Sequence, residues 1–185
     1  RSMPYKKNEY DYVFCMGVLQ HTPSPEKSIR YLFEMVKPGG TLCIDHYLFK
    51  LRNILPPPIG VAEVVYRWFI LRLPNRMRYR VVHKIVSFWF PIHWKFRKIR
   101  LIQRLLRRMS PVHFYYPEYA LSGYNEYYQF ALLDTHDGTT DKYRHHRSIG
   151  SLRKTLEELG AKNISIKKGG NGIEAVCKKS LVVDN

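Results

Sequence analysis

The block from Asp11 to Asp45 constrains the fold more than any other part of the chain. Tyr12 to Met16 is a short apolar run that ends at Gly17, and its length and flanks favour a buried strand over a helix fragment. Ser24 reads as an N-cap, with Pro25 at the first helical position. Ile29, Leu32, Phe33 and Val36 follow at i, i+3, i+4 and i+7, the stripe of a helix with one face on a core. Lys37-Pro38 stops that helix, because proline disfavours helical geometry in the residue before it. Gly39-Gly40 makes the turn, and Thr41 to Ile44 is β-prone and apolar, as in a strand covered on both faces. Strand, helix and strand in about 35 residues form a parallel crossover unit.

The C-terminus is equally legible. Ser148 caps a predicted helix that places Ile149, Leu152, Leu156 and Leu159 on one face, and Gly160 ends it. Asn163 to Lys167 alternates polar and apolar residues, which suits a half-exposed strand. Gly169, Gly170, Asn171 and Gly172 form a tight turn before a further strand, Ile173 to Cys177. Two strands joined so closely must run antiparallel.

Between these ends lie residues too numerous for a structureless loop in a compact domain, so a helical insertion is expected. Pro56, Pro57 and Pro58 open it. Val82, Ile85, Val86 and Trp89 have helical spacing and end at Pro91. Phe96, Ile99, Ile102, Leu106 and Met109 form a second stripe, with Arg97, Arg100, Arg104 and Arg107 interleaved, and a third helix is predicted between Tyr119 and Leu133. The formal net charge of +16 is concentrated here: residues 64–117 hold 13 Lys/Arg, no Asp or Glu, and all three tryptophans.

The Asp11–Asp45 block resembles the central block of class I S-adenosylmethionine-dependent methyltransferases, with its strand, His-containing loop, helix and "KPGG" turn. The helix and antiparallel pair at the C-terminus resemble the way that family's sheet ends. The resemblance implies an α/β fold: a partial Rossmann-like methyltransferase sheet of two parallel strands plus a C-terminal antiparallel pair, with a large helical insertion. Residues 1–47 and 134–179 are then the C-terminal half of the methyltransferase core, and residues 48–133 a basic aromatic insertion acting as a lid. The family's Gly-rich first motif and the acidic residue after its second strand are not found in the chain, and Ser2 to Tyr5 looks like the tail of the segment after the third strand. The expectation is a fragment that starts in mid-domain and by itself binds S-adenosyl-L-methionine weakly or not at all.

Under that resemblance Cys15, Met16 and Gly17 border the methionine and ribose side of the cofactor. His21, in the loop after the first strand, and His46, after the second, are the candidate bases; each also reads as a histidine satisfied by its own surroundings. Asp137, Tyr143 and His145 belong to a polar segment, residues 134–146, that precedes the last helix and is the candidate acceptor side; the alternative is a polar surface loop capping the Ser148 helix. No metal site is expected, because Asp137, His145 and His146 are not at ligand spacing and no cysteine has a neighbouring cysteine. The odd three cysteines (Cys15, Cys43, Cys177) read as buried thiols.

The insertion has three readings: a helical lid with solvated arginines, an amphipathic element on an anionic membrane surface, and a nucleic-acid footprint. The lid reading comes first, because charge runs are usually solvated faces, and the nucleic-acid reading is the weakest, since the chain carries no nucleic-acid fold signature. No run reaches the ~20 apolar residues of a membrane span and the first residues do not read as a signal peptide. A cytoplasmic protein is expected, with peripheral membrane association as the option that the second reading adds. The expected activity is methyl transfer to a small-molecule, sugar or lipid-linked acceptor; the alternative is a non-catalytic methyltransferase-like module that binds a membrane or partner.

Overall fold

The computed structural model describes residues 5–170 and 172–181; the expectations for residues 1–4 and for Asn171 lie outside the described residues. In chain order the elements are β1 (Tyr10–Cys15), α1 (Pro25–Met35), β2 (Val36–His46), α2 (Ala62–Ile70), α3 (Asn75–Lys95), α4 (Arg100–Met109), α5 (Tyr124–Thr140), α6 (Ile149–Glu158), β3 (Lys162–Gly169) and β4 (Gly172–Lys178). Two compact units divide the chain. One runs to Phe49 and resumes at Tyr143, and the other is Lys50–Lys142. The second unit takes in residues 134–142, which the sequence alone places with the core.

The first unit is built on a four-stranded sheet in the order β1-β2-β4-β3. β1 runs parallel to β2, with Phe14 opposite Cys43 and Cys15 opposite Ile44. β4 runs antiparallel to both β2 and β3, with Ile44 opposite Ala175. The chain thus adopts a partial Rossmann-like sheet, two parallel strands and an antiparallel pair, interrupted by a large helical insertion. β2 and β4 supply the buried centre: Leu42, Ile44, Ile173, Ala175 and Cys177 are at most 1% exposed. Ile29, Leu32, Phe33 and Val36 close over it from α1 and the start of β2, and Leu152 and Leu156 from α6. Ser148 accepts the Ser151 amide at 3.0 Å and so caps α6. Ser24 holds the equivalent position on α1, but its side chain makes no capping bond.

Two details depart from the sequence reading. Gly39-Gly40 is no free turn: both residues lie within β2, which runs eleven residues. The register jumps from Tyr10–Val36 to Tyr12–Thr41, so the surplus of β2 is taken up as a bulge. Gly39 has φ +80°, which favours glycine, and the Gly39 amide and Gly40 carbonyl still pair with Lys179. The second departure is β1. It is an edge strand that buries one face only, and Tyr12 and Phe14 on its other face are exposed.

The second unit is helical. Ile70, Val82, Val86, Phe90, Val112, Phe114, Tyr127, Ala131 and Leu132 form its core. Phe90 is its hub, edge-to-face with Phe114, Tyr124 and Tyr128 at 5.1 to 5.7 Å between ring centres. α3 continues through Pro91, the expected stop, to Lys95. The proline deletes one helical hydrogen bond, and the burial of Phe90 and His93 on either side of it offsets that loss. α4 begins only at Arg100, so Phe96 and Ile99 precede it, and its buried residues are Gln103 and Leu106. Gln103 is inside because it bonds His93 twice, through Oε1 to Nδ1 at 2.9 Å and through Nε2 to the carbonyl at 2.8 Å. The predicted third helix is α5, but it runs on through Thr140 and absorbs residues 134–140. None of the described helices is long and apolar enough to cross a membrane.

An ionic cluster fastens α2 to α5. His113 Nδ1 lies 2.6 Å from Asp134 Oδ2, its Nε2 lies 3.2 Å from Glu63 Oε1, and Tyr115 donates to Asp134 at 2.7 Å. Gly138 is required beside it, since a Cβ there would fall 2.6 Å from the His113 ring. Burial disfavours the charged imidazole, but the two carboxylates outweigh it and raise its pKa from 6.5 to about 9.

Leu152→Ala and Leu156→Ala are each expected to lower the unfolding free energy by about 2–5 kcal/mol, read from urea titrations. The His113 contribution is fully present below its unfolded value of 6.5 and is lost as pH rises through about 9. Because every tryptophan lies in this unit, their fluorescence reports on it alone. The tryptophan-detected midpoint is expected to fall between pH 7 and pH 10, and His113→Gln to start lower and flatten that dependence.

Candidate functional site

Parallel strands end on the same side, and in open α/β sheets ligands meet the chain beyond those carboxyl ends. Here the ends are Cys15-Met16-Gly17 and Asp45-His46. They are tied together: the Gly17 amide donates to Asp45 Oδ1 at 2.6 Å, and Asp45 is 2% exposed. Gly17 has φ +74°, and nothing lies within 4 Å of where its Cβ would be. The loop is therefore pinned from one side and open on the other. Met16 is half exposed, while Cys15 is half-buried, and burial together with the nearby Asp45 pushes its thiol pKa up.

The segment Tyr143–Arg147 is stitched along the same end. The His145 amide donates to the Gln20 carbonyl at 2.9 Å, the Arg147 amide to the Tyr47 carbonyl at 2.9 Å, and the Phe49 amide to the Arg147 carbonyl at 2.8 Å. These bonds gather Gln20, His21, His46, Tyr47, Tyr143 and His145 from three parts of the first unit. His21 Nδ1 is 3.3 Å from the Tyr143 carbonyl, and its ring stands edge-on to Tyr47 at 5.4 Å. Tyr143 and His145 stack at 6.2 Å. Beneath them Arg147 is buried, ion-paired with Glu26 and bonded to Thr155 Oγ1 at 3.2 Å. Burial opposes charge on Glu26, but its own backbone amide and Arg147 hold its carboxyl below the usual range.

His46 is fully buried, with Nδ1 3.4 Å from the Tyr47 carbonyl. That contact places the proton on Nδ1 and leaves the Nε2 lone pair as an acceptor. Burial, reinforced by Arg147 and His145, lowers its pKa from 6.5 to about 4. It is a neutral imidazole at pH 7, suited to accepting a hydrogen bond and weak as a base. His46 Nε2, His145 Nε2 and both side-chain polar atoms of Gln20 are buried without a hydrogen-bond partner among the described residues. Such atoms are costly unless something pairs with them, so this end of the sheet presents polar groups suited to meeting a ligand.

Of the residues singled out in the sequence, Cys15, Met16, Gly17, His21, His46, Tyr143 and His145 all lie at or beside this end of the first unit. Asp137 belongs to the second unit, exposed on α5. The sequence reading missed Asp45, Gln20 and Arg147. Asp45 was the legible one, an aspartate closing an otherwise apolar strand. Among the described residues no group of three or more His, Cys, Asp or Glu could hold a metal ion.

Comparison with known proteins places the N-terminal part. Residues 1–44 match the family model described as a methyltransferase domain. The chain is similar to a tRNA U34 carboxymethyltransferase of Desulforapulum autotrophicum, 37% identical over 54 residues, covering 29% of this chain and 17% of that protein. It is also similar to a ubiquinone biosynthesis O-methyltransferase of Pseudomonas savastanoi pv. phaseolicola, 34% identical over 67 residues, covering 36% of this chain and 27% of that protein. These matches span less than a third of either relative. Among solved structures, a SAM-dependent methyltransferase of Methanosarcina mazei aligns over 98% of this chain and 64% of its own, at 13% identity and a TM-score of 0.41.

His46 makes the first unit sensitive to acid. A histidine held neutral by burial stabilises fully above its unfolded pKa of 6.5, and that stability is lost as pH falls toward about 4. Amide exchange in β2 and β4 is expected to accelerate between pH 6.5 and pH 4, after correction for intrinsic exchange, and His46→Gln to weaken that acceleration.

Proposed function

We propose that this chain supplies part of an S-adenosylmethionine-dependent methyltransferase acting on a small-molecule, sugar or lipid-linked acceptor, as a fragment of an intact enzyme. The observation that supports it most is the Gly17–Asp45 bond, which joins the carboxyl ends of two parallel strands at the edge of the methyltransferase-domain match. When bound, S-adenosylmethionine supplies a methyl group on a sulfonium sulfur, open to in-line displacement. Cys15, Met16 and Gly17 would border its methionine and ribose side, and the side-chain-free face of Gly17 permits close backbone approach. Gln20 and His46 offer buried, unpartnered polar atoms to the same region.

Tyr143 and His145 are the acceptor-side candidates in this unit, and Asp137 remains one by resemblance alone. His21 is the preferred candidate base, set beside Tyr143 with its Nδ1 3.3 Å from that residue's carbonyl, where it would take a proton from a hydroxyl or ammonium acceptor. His46, with a pKa near 4, would orient a ligand and not carry its proton.

A second reading, a non-catalytic module that meets a membrane surface, is favoured by α4. Its Leu101, Leu105 and Met109 are 73%, 57% and 51% exposed at i, i+4 and i+8, alongside Arg100, Arg104 and Arg108. Photocrosslinking of S-adenosylmethionine to the intact polypeptide separates the two readings. The enzyme reading expects label within residues 15–21, abolished by Gly17→Val in protein with unchanged circular dichroism. No label, or label insensitive to that substitution, overturns it.

A further inference from the structure

We infer that the helical unit contains a binding site for a phosphorylated ligand, in a cavity of about 860 Å³ wholly within residues 50–142. Four arginines of α4 line it: Arg100, Arg104, Arg107 and Arg108. Arg97 and Lys98 from the preceding turn join them, and Arg52 comes from the start of the unit. No aspartate or glutamate lines the cavity.

The lining cations divide by what they touch. Arg97 donates to the Trp94 carbonyl at 2.9 Å and lies over the Trp94 ring, its guanidinium 4.3 Å from the ring centre. Arg107 donates to the Phe114 carbonyl at 3.1 Å and sits 3.6 Å from Glu118. The side chains of Arg52, Lys98, Arg100, Arg104 and Arg108 have no hydrogen-bond or ion-pair partner among the described residues. Two fixed and five unengaged cations thus share one concavity. Like charges in a cleft repel, and they focus a positive potential that a multivalent anion relieves. Guanidinium forks match phosphate oxygens in bidentate geometry, which carboxylates share but single halides do not.

Size and wall chemistry narrow the class. The volume lies in the range of small-ligand pockets and exceeds what one phosphate fills. Ile59, Tyr116 and Pro117 give the cavity an apolar wall beside the cations. The ligand is therefore an organic molecule bearing a phosphate or diphosphate, either a soluble ester or a lipid whose phosphate headgroup enters the cavity. This site is independent of the methyl-transfer reading, and its failure leaves that reading untouched.

The test uses the full chain. Inorganic pyrophosphate is titrated calorimetrically, and vesicles of phosphatidylcholine with and without phosphatidic acid are co-sedimented, each in wild type, Arg104→Ala, Arg104→Lys and Arg80→Ala. Arg80 is an exposed cation of the same unit outside the cavity. Pyrophosphate binding is expected to weaken about tenfold in Arg104→Ala, to be partly kept in Arg104→Lys, and to be unchanged in Arg80→Ala. Vesicle recruitment that needs phosphatidic acid, falls in Arg104→Ala and is competed by pyrophosphate assigns the phosphate to a lipid. Pyrophosphate binding without recruitment assigns it to a soluble ester. No binding of either probe, or equal losses in Arg104→Ala and Arg80→Ala, overturns the site.

Discussion

β2 holds the first unit together. It pairs parallel with β1 on one side and antiparallel with β4 on the other. Leu42 and Ile44 lock it into the buried centre, and because side chains alternate along a strand, a slip of one residue would turn both outward. The same strand ends in Asp45 and His46. Its register therefore fixes at once the core and the polar end of the sheet, where Asp45 restrains the Gly17 loop. The bulge at Gly39-Gly40 lets β2 keep that register while α1 enters it without a separate turn.

The helical unit solves a different problem. Its core is centred on aromatic rings, and its buried polar side chains bond one another or nearby backbone. His93 is bracketed by Gln103 and Ser110, and burial lowers its pKa, which favours the neutral ring that this bracket satisfies. His113 is bracketed by two carboxylates and keeps its charge. Two histidines of one small unit thus hold opposite charge states, each set by what faces the ring. Glu63 and Asp134 are spent on His113, so they do not neutralise the cavity arginines.

What was legible in the sequence is what neighbours in the chain decide. The Ser148 cap, the apolar stripe of α6, the tight turn before β4 and the stripe of α1 are local signals, and each element stands where those signals place it. The parallel pairing of β1 with β2 follows from the crossover between them. Departures come where distant residues overrule local ones. Pro91 stays inside α3 because both of its flanks are buried in aromatic packing. Residues 134–140 look like a polar loop, yet they are helical, since Asp134 is engaged by His113 and Tyr115 and Thr135 by the His113 amide. The stripe of α4 was misassigned because Gln103 is buried by its bonds to His93, which no hydrophobic period records. At the candidate site, Gly17, His21 and His46 could be named from the block they occupy. Arg147 could not, because its partners Glu26 and Thr155 are known only once the chain has folded.

The outer strand of the sheet has a practical consequence. Tyr12 and Phe14 stand side by side there with their rings stacked at 6.3 Å, bare to solvent, next to backbone groups that no fifth strand pairs among the described residues. An unguarded sheet border of this kind is adhesive and templates the addition of another chain. The six residues of β1 are thus a place where copies of this chain can adhere in concentrated solution, against the mutual repulsion of their net charge of +16.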